Sequence, residues 1–393
     1  MRKFLIMTVI MGLFSFLLGT MSVNAEQVYT WETKANIPTI VSGSGAAVVN
    51  GNVYLYGGNA GPSGTSSDTK NANMYVYDPL SDSWITSSAM PSPRAGTATA
   101  VYDNKIYSIG GYYTANAVST KTVQVYDTIS GIWSAGTNSL MERSWSGAAT
   151  INNKIYVFGG AKDTTALKHV EVFDPSTQVW TRLNDLPTVS YETKVIQYNG
   201  RNFVINLKDR VIWEYDVTTD SYTTITNIPR NRSSSEPALL NGKIYLVGSE
   251  ASVVDVYNIE SNTWSSDIPY PNPKYLGNVV SVNNHIYVIG GRTTASGGNS
   301  KEVKMLIEST INSNNNYAIL TIHLSNGQIK EYDLTAEQLS AFENWYDNCA
   351  NGIGSPRYGF AKTWNKGPFS TRTEYVLFGQ IVNYDVDEYE LDK

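Results

Sequence analysis

The chain has 393 residues, 41% hydrophobic and only 16% charged, and its 27 Tyr and 9 Trp exclude a disordered chain. A formal charge of −6, from 29 basic and 35 acidic residues, removes a chain-wide electrostatic grip on nucleic acid. The single cysteine, Cys349, rules out an intrachain disulfide, so packing must hold the fold together.

Arg2 and Lys3 precede an uncharged, mostly apolar run over 4–19, and small residues follow up to Ala25. This is the pattern of a secretory signal peptide cleaved after Ala25. The run is shorter than the roughly 20 residues that span a bilayer, and no cysteine follows it to carry a lipid. No later segment is apolar enough for a membrane span, and no wall-sorting signal closes the chain, so a secreted, extracellular protein is expected.

Six copies of one motif come next. Val53-Tyr54-Leu55-Tyr56-Gly57-Gly58, Ile106 to Gly111 and Ile155 to Gly160 are close copies; Asn202 to Leu207, Ile244 to Ser249 and Ile286 to Gly291 are looser ones. The spacings of 53, 49, 47, 42 and 42 residues leave room for four strands each. Each copy follows a tight-turn pair: Asn50-Gly51, Asp103-Asn104, Asn152-Asn153, Asn199-Gly200, Asn241-Gly242 or Asn283-Asn284. Such residues tolerate the positive φ that two-residue hairpins require. Downstream, Tyr77-Asp78, Tyr126-Asp127, Phe173-Asp174, Tyr215-Asp216 and Tyr257-Asn258 are each followed six residues after the Asp or Asn by Trp84, Trp133, Trp180, Tyr222 or Trp264. The sixth copy lacks this aromatic. Trp31 with Pro38 repeats the spacing of Trp84 with Pro91, so an N-terminal strand is expected to complete the last repeat.

A hydrophobic strand ending in a glycine pair, a downstream Tyr-Asp and a Trp six residues on resembles the kelch repeat, and the resemblance covers residues 27–307. It implies an all-β fold, a six-bladed kelch-type β-propeller over 26–307, closed by the N-terminal strand so that no sheet edge is left open. Asn206-Leu207 and Tyr222 depart from the pattern in the fourth blade.

Beyond a polar linker over 308–316 the repeat signals stop. Residues 317–393 read as a small α+β domain. Alternating strands flank Asn326-Gly327, a capping-box sequence at Thr335–Gln338 opens a helix through Leu339, Phe342, Trp345 and Tyr346, and strands follow over 358–364 and 374–386.

In a propeller the loops between blades, and those after the glycine pairs, gather around the central channel. They bring together Arg94, Arg143, Arg232 and Lys274, which suits an anionic ligand, although the same side chains equally suit hydrogen bonding to backbone or to Glu192 and Glu236. Tyr112, Trp145, Tyr191 and Tyr275 offer flat rings for stacking on sugars, or plugs for the channel. Three functions fit such a surface. A recognition protein would bind an extracellular carbohydrate, cell-wall component or protein partner. A sugar-modifying enzyme would resemble the secreted six-bladed kelch family that equilibrates sialic acid anomers, with Glu236 and Arg232, or Glu192 and Arg143, as acid–base and anion-holding groups. A copper radical oxidase resembling galactose oxidase is disfavoured, because Cys349 lies outside the repeats and the three histidines lie away from the channel mouth. No metal or cofactor motif is present, and the recognition protein is the expectation.

Overall fold

The computed structural model describes residues 25–63, 67–113, 117–249, 251–270, 272–294, 297–312, 316–350, 354–361 and 373–390. The expected signal peptide lies outside them apart from Ala25, which opens the first strand.

Six four-stranded antiparallel sheets occupy residues 25–312. The first sheet contains Gly45–Val49, Asn52–Tyr56, Met74–Asp78 and Ser83–Thr86. The next four repeat that up-and-down order, with first strands Ala98–Tyr102, Gly147–Ile151, Thr193–Tyr198 and Ser235–Leu240. The sixth contains Asn278–Val282, His285–Ile289, Val303–Asn312 and, as its outer strand, the N-terminal Ala25–Lys34. These last two strands pair over ten residues, with Trp31 opposite Leu306. Residues 308–312, expected in a linker, therefore continue a strand. First strands lie side by side in chain order, and Asn278–Val282 returns to lie beside Gly45–Val49.

The turn chemistry explains the hairpins: all twelve residues of the six expected turn pairs have positive φ, from 48° at Asn199 to 77° at Gly51. The glycine pair has a different reason. The N–H of its second residue crosses to the next sheet: Gly58 donates to Arg94 O (2.8 Å), Gly111 to Arg143 O (2.8 Å), Gly160 to Ser190 O (2.9 Å), Ser249 to Lys274 O (3.1 Å) and Gly291 to Val41 O (2.8 Å). The first residue of the pair must let that carbonyl approach; a Cβ on Gly57 would sit 2.3 Å from Arg94 O.

The repeated tryptophans form a second set of links. Trp84 Nε1 donates to Ala35 O (2.9 Å), Trp133 to Ser88 O (3.2 Å), Trp180 to Thr137 O (2.9 Å) and Trp31 to Pro269 O (2.6 Å), each reaching the outer strand of the preceding sheet or the residues just after it. Trp264 uses Thr226 Oγ1 instead (3.1 Å). Trp84, Trp133, Trp180 and Trp264 also pack on the repeat Tyr or Phe of their own sheets, as in Phe173–Trp180 with centroids 4.9 Å apart, whereas Trp31 packs on Tyr270. The core is thus distributed along the seams between sheets.

The C-terminal module has a three-stranded sheet ordered Ile329–Thr335, Asn316–Leu324, Ile381–Glu390. The helix Ala336–Ala350 packs against it through Leu339 and Phe342. Its start is the expected capping box: Gln338 N donates to Thr335 Oγ1 (3.3 Å) and Thr335 N to Gln338 Oε1 (3.0 Å). A separate hairpin joins Arg357–Ala361 to Thr373–Leu377. The strand expected over 374–386 is interrupted by a short 3-10 turn at Phe378–Gln380, which sends its two halves to different sheets.

Candidate functional site

At one end of the six first strands the inter-sheet loops meet in a chain of backbone hydrogen bonds. Gly96 N donates to Gly43 O (2.9 Å), Trp145 N to Gly96 O (2.7 Å), Thr193 N to Trp145 O (3.4 Å), Leu276 N to Ser234 O (3.2 Å) and Gly43 N to Leu276 O (2.8 Å). Between Thr193 and Ser234 a side chain makes the link: Glu192 Oε2 accepts from Ser234 N at 2.7 Å. Positive φ recurs at Gly43, Gly96, Trp145, Ser234 and Leu276. For a Trp and a Leu that conformation is strained, and it persists because the surrounding bonds fix it.

Trp145 lies across this mouth. A Cβ added at Gly43 or at Gly96 would fall 2.8 Å from its indole, so both glycines are the floor on which the ring rests. Tyr112 packs beside it, centroids 5.9 Å apart, and is buried with its hydroxyl accepting from Asn59 Nδ2 (3.0 Å). Burial raises the pKa of Tyr112, while the charge of Arg292 opposes and that of Tyr191 adds to the rise, so these side chains from three loops share one locality. Tyr191 and Tyr275 remain partly exposed. Of the four expected aromatic faces, Tyr112 is a buried wedge, Trp145 is a cap, and Tyr191 and Tyr275 are half-buried.

The expected cationic rim is absent. Arg94 and Arg143 are 2% and 0% exposed, Arg232 is 0% and Lys274 is 8%. Each is consumed inside its own sheet. Arg94 Nη1 donates to Gly110 O (3.0 Å) and Thr122 O (3.1 Å). Arg143 donates to His169 O (3.1 Å) and pairs with Glu171 at 2.5 Å. Arg232 pairs with Asp255 at 2.6 Å and donates to Val253 O (3.0 Å), and Lys274 pairs with Glu302 at 3.0 Å. Burial pulls the guanidinium of Arg143 down to about 10, with Glu171 working the other way. These residues stand sixteen positions before the first member of each motif pair, where the first and fourth sheets carry Val41 and Ser190. They are struts, and the partners are not the expected ones: neither Glu236–Arg232 nor Glu192–Arg143 is a pair.

Glu236 pairs instead with Lys194, which the sequence reading passed over. Both lie twelve positions before their motif pair, where the other sheets carry Gly45, Ala98, Gly147 and Asn278. Register puts all six opposite the residue preceding the pair. Alignment at that offset was the available signal, since two charges replace small or neutral residues at an otherwise quiet position. The pair lines a cavity of about 200 Å³ between the first strands, together with Ser44, Thr97, Thr99, Ser146 and Asn278. Burial raises the carboxyl pKa of Glu236 and Glu192 adds to this, while Lys194 opposes it. Among the described residues no group of three His, Cys, Asp or Glu is placed to hold a metal ion.

Residues 13–190 match the family model of the KLHDC2/KLHL20/DRC7 kelch-repeats domain. Those residues carry kelch repeats. Among curated relatives it is 33% identical over 99 residues to an uncharacterised protein of Clostridium acetobutylicum, covering 25% of this chain and 24% of that one. The kelch-like protein terF of Aspergillus terreus is 34% identical over 89 residues (22% of this chain, 19% of terF), and alpha-scruin of Limulus polyphemus 29% over 100 residues (24% and 10%). The chain thus spans a quarter or less of the length of each of these relatives. The solved structure of YjhT superposes with a TM-score of 0.57 at 17% identity, covering 70% of this chain and 99% of YjhT. That likeness concerns the fold: a kelch-repeat β-propeller.

Proposed function

We propose that the six sheets are the blades of a closed six-bladed propeller, secreted from the cell, that recognises an extracellular carbohydrate, cell-wall component or protein through its capped channel mouth. The closure reading rests on the return of hydrogen bonds from the last repeat to the first, at Gly291–Val41 and Leu276–Gly43. The observation that carries the recognition reading is the outcome at the rim: every repeated basic side chain is spent internally, while Tyr191 and Tyr275 stay partly exposed beside the Trp145 cap. Such a rim presents flat apolar faces with polar edges and withholds the four repeated cations, which suits a neutral sugar or a polypeptide better than an anion. Binding of the purified protein to a glycan array that includes neutral, sialylated and uronic-acid sugars tests this. Neutral glycans should be retained and lost on Tyr191→Ala with Tyr275→Ala; retention restricted to sialylated or uronic-acid glycans would contradict it.

One observation favours a second reading, a sugar-modifying enzyme of the sialic acid mutarotase type. Lys194 and Glu236 place a cation on a carboxylate with raised pKa in an internal cavity, as acid–base work requires. Anomer exchange abolished by Glu236→Gln, in a variant that still folds, would establish it.

A further inference from the structure

Among the described residues, two strands of the C-terminal module each have one edge without a paired neighbour, and these edges line one cleft. Ile329–Thr335 pairs on one side with Asn316–Leu324, and Arg357–Ala361 pairs on one side with Thr373–Leu377. Among the described residues no backbone hydrogen bond joins Ile329–Thr335 to Arg357–Ala361. Between them lies a cleft of about 380 Å³ lined by four consecutive residues of each, 331–334 and 358–361, with Gln338 and Glu374. A lining of consecutive residues is a lining of backbone edges, and unpaired edges are templates for another strand.

The two sides of the cleft differ in chemistry. On the inner side Tyr332 stacks on Phe360 with centroids 3.7 Å apart, and Tyr358 packs on Phe360 at 4.9 Å, giving an aromatic floor. Lys330 meets Glu374 at 2.5 Å beside it. On the outer side the alternate residues Glu331 and Asp333 are exposed, Asp333 accepting from Tyr389 Oη at 2.7 Å; on the other strand that face carries the small Gly359 and Ala361, with Arg357 at its end held over the ring of Tyr375. An inserted strand would therefore rest one set of side chains on rings and present the other set beside two carboxylates. Cross-strand pairing of opposite charge is favourable, and like charge is not.

We propose that this cleft is a strand-insertion site for an extended segment of a partner protein in which apolar residues alternate with lysine or arginine. The segment pairs with both edges at once, its apolar side chains on Tyr332, Tyr358 and Phe360 and its cations beside Glu331 and Asp333. The site is separate from the channel mouth and stands whether or not that mouth binds a glycan.

The test titrates the purified protein into three labelled decapeptides: alternating lysine and valine, alternating glutamate and valine, and the lysine peptide interrupted by prolines. Anisotropy reports affinity, and hydrogen exchange reports amides of 329–335 and 357–361. The lysine–valine peptide should bind at least about tenfold more tightly than either control and slow exchange on both edges. Glu331→Lys with Asp333→Lys should weaken it at least about tenfold, whereas Asp103→Lys with Glu260→Lys, equal in charge but on the repeats, should leave it unchanged. Equal binding of the proline-interrupted peptide would reduce the effect to charge attraction and overturn the proposal. So would edge amides already protected in the free protein, or protection confined to strands of the repeats.

Discussion

The seam between the fourth and fifth sheets differs from the other five. Elsewhere the second residue of the motif pair gives its N–H to a carbonyl of the next sheet, and the first residue makes room for it. At the fourth sheet Leu207 N turns back to Glu192 O of its own sheet at 3.5 Å, and Asn206 spends its amide on Val189 O (3.2 Å) and Asp209 Oδ2 (3.2 Å). The fourth sheet departs from the pattern on its other side as well: Ser190 stands at the strut position, as Val41 does in the first sheet, and on the seam to the third sheet the repeat Trp has become Tyr222, whose hydroxyl is buried without a partner. What joins these two sheets near the axis is side-chain chemistry: Lys194 with Glu236, and Glu192 on the Ser234 amide. A backbone link lost in one repeat has been replaced by charge, so the carboxylates that a sequence search picks out as catalytic also hold the scaffold.

The comparison breaks most sharply at the struts. Arg143→Met takes the guanidinium from a fully buried Glu171, leaving it only the Leu140 amide and His169, and should cost about 3–5 kcal/mol by chemical denaturation. Ser190→Ala, at the matching position, should stay within about 0.5 kcal/mol, since its hydroxyl has no partner. Equal losses would refute the strut assignment.

Next is the charged seam. Lys194→Met should cost about 2 kcal/mol near neutral pH, because the pair is partly screened by the channel. Its sign with pH follows from the carboxyl. Burial already raises the pKa of Glu236, and removing Lys194 raises it further, so the folded variant takes up a proton more readily than the unfolded chain. The deficit should therefore shrink as pH falls through the carboxylate range and grow as it rises; a deficit independent of pH would show that Lys194 acts by packing alone.

The aromatic links give the smallest contrast. Trp180→Phe removes the bond to Thr137 O and part of a ring packed on Phe173, an expected loss of about 1–2 kcal/mol. Tyr222→Phe removes only an unpartnered buried hydroxyl and should be neutral or slightly stabilising by the same chemical denaturation.

Much of the repeat region was legible because its signals are local and recur at fixed offsets. Turn pairs such as Asn152-Asn153 declare positive φ, and the six-residue step from Asp127 to Trp133 is a hairpin in cross-section, with Tyr126 opposite Trp133. The helix start at Thr335 was equally legible from its capping box. The site was not, because residue type does not say what a side chain spends its charge on. Arg143 reads alike as a ligand-binding group and as a strut; only the position of Glu171, 28 residues away on a neighbouring strand, decides between them. Lys194 was invisible for the opposite reason, since a lone lysine in an ordinary strand carries no motif and gains meaning only beside Glu236. The extension of the last repeat through Asn312 was hidden because its partner strand lies at the other end of the chain.

The most direct test of the recognition reading is the glycan array with wild-type protein beside Tyr191→Ala/Tyr275→Ala and Arg143→Lys. Neutral glycans bound by the wild type should be lost by the tyrosine variant and kept by Arg143→Lys wherever that variant folds, because the arginine never meets the ligand. Binding that survives loss of both tyrosines, or that falls with Arg143→Lys in a protein of unchanged fold, would contradict an aromatic rim as the working surface.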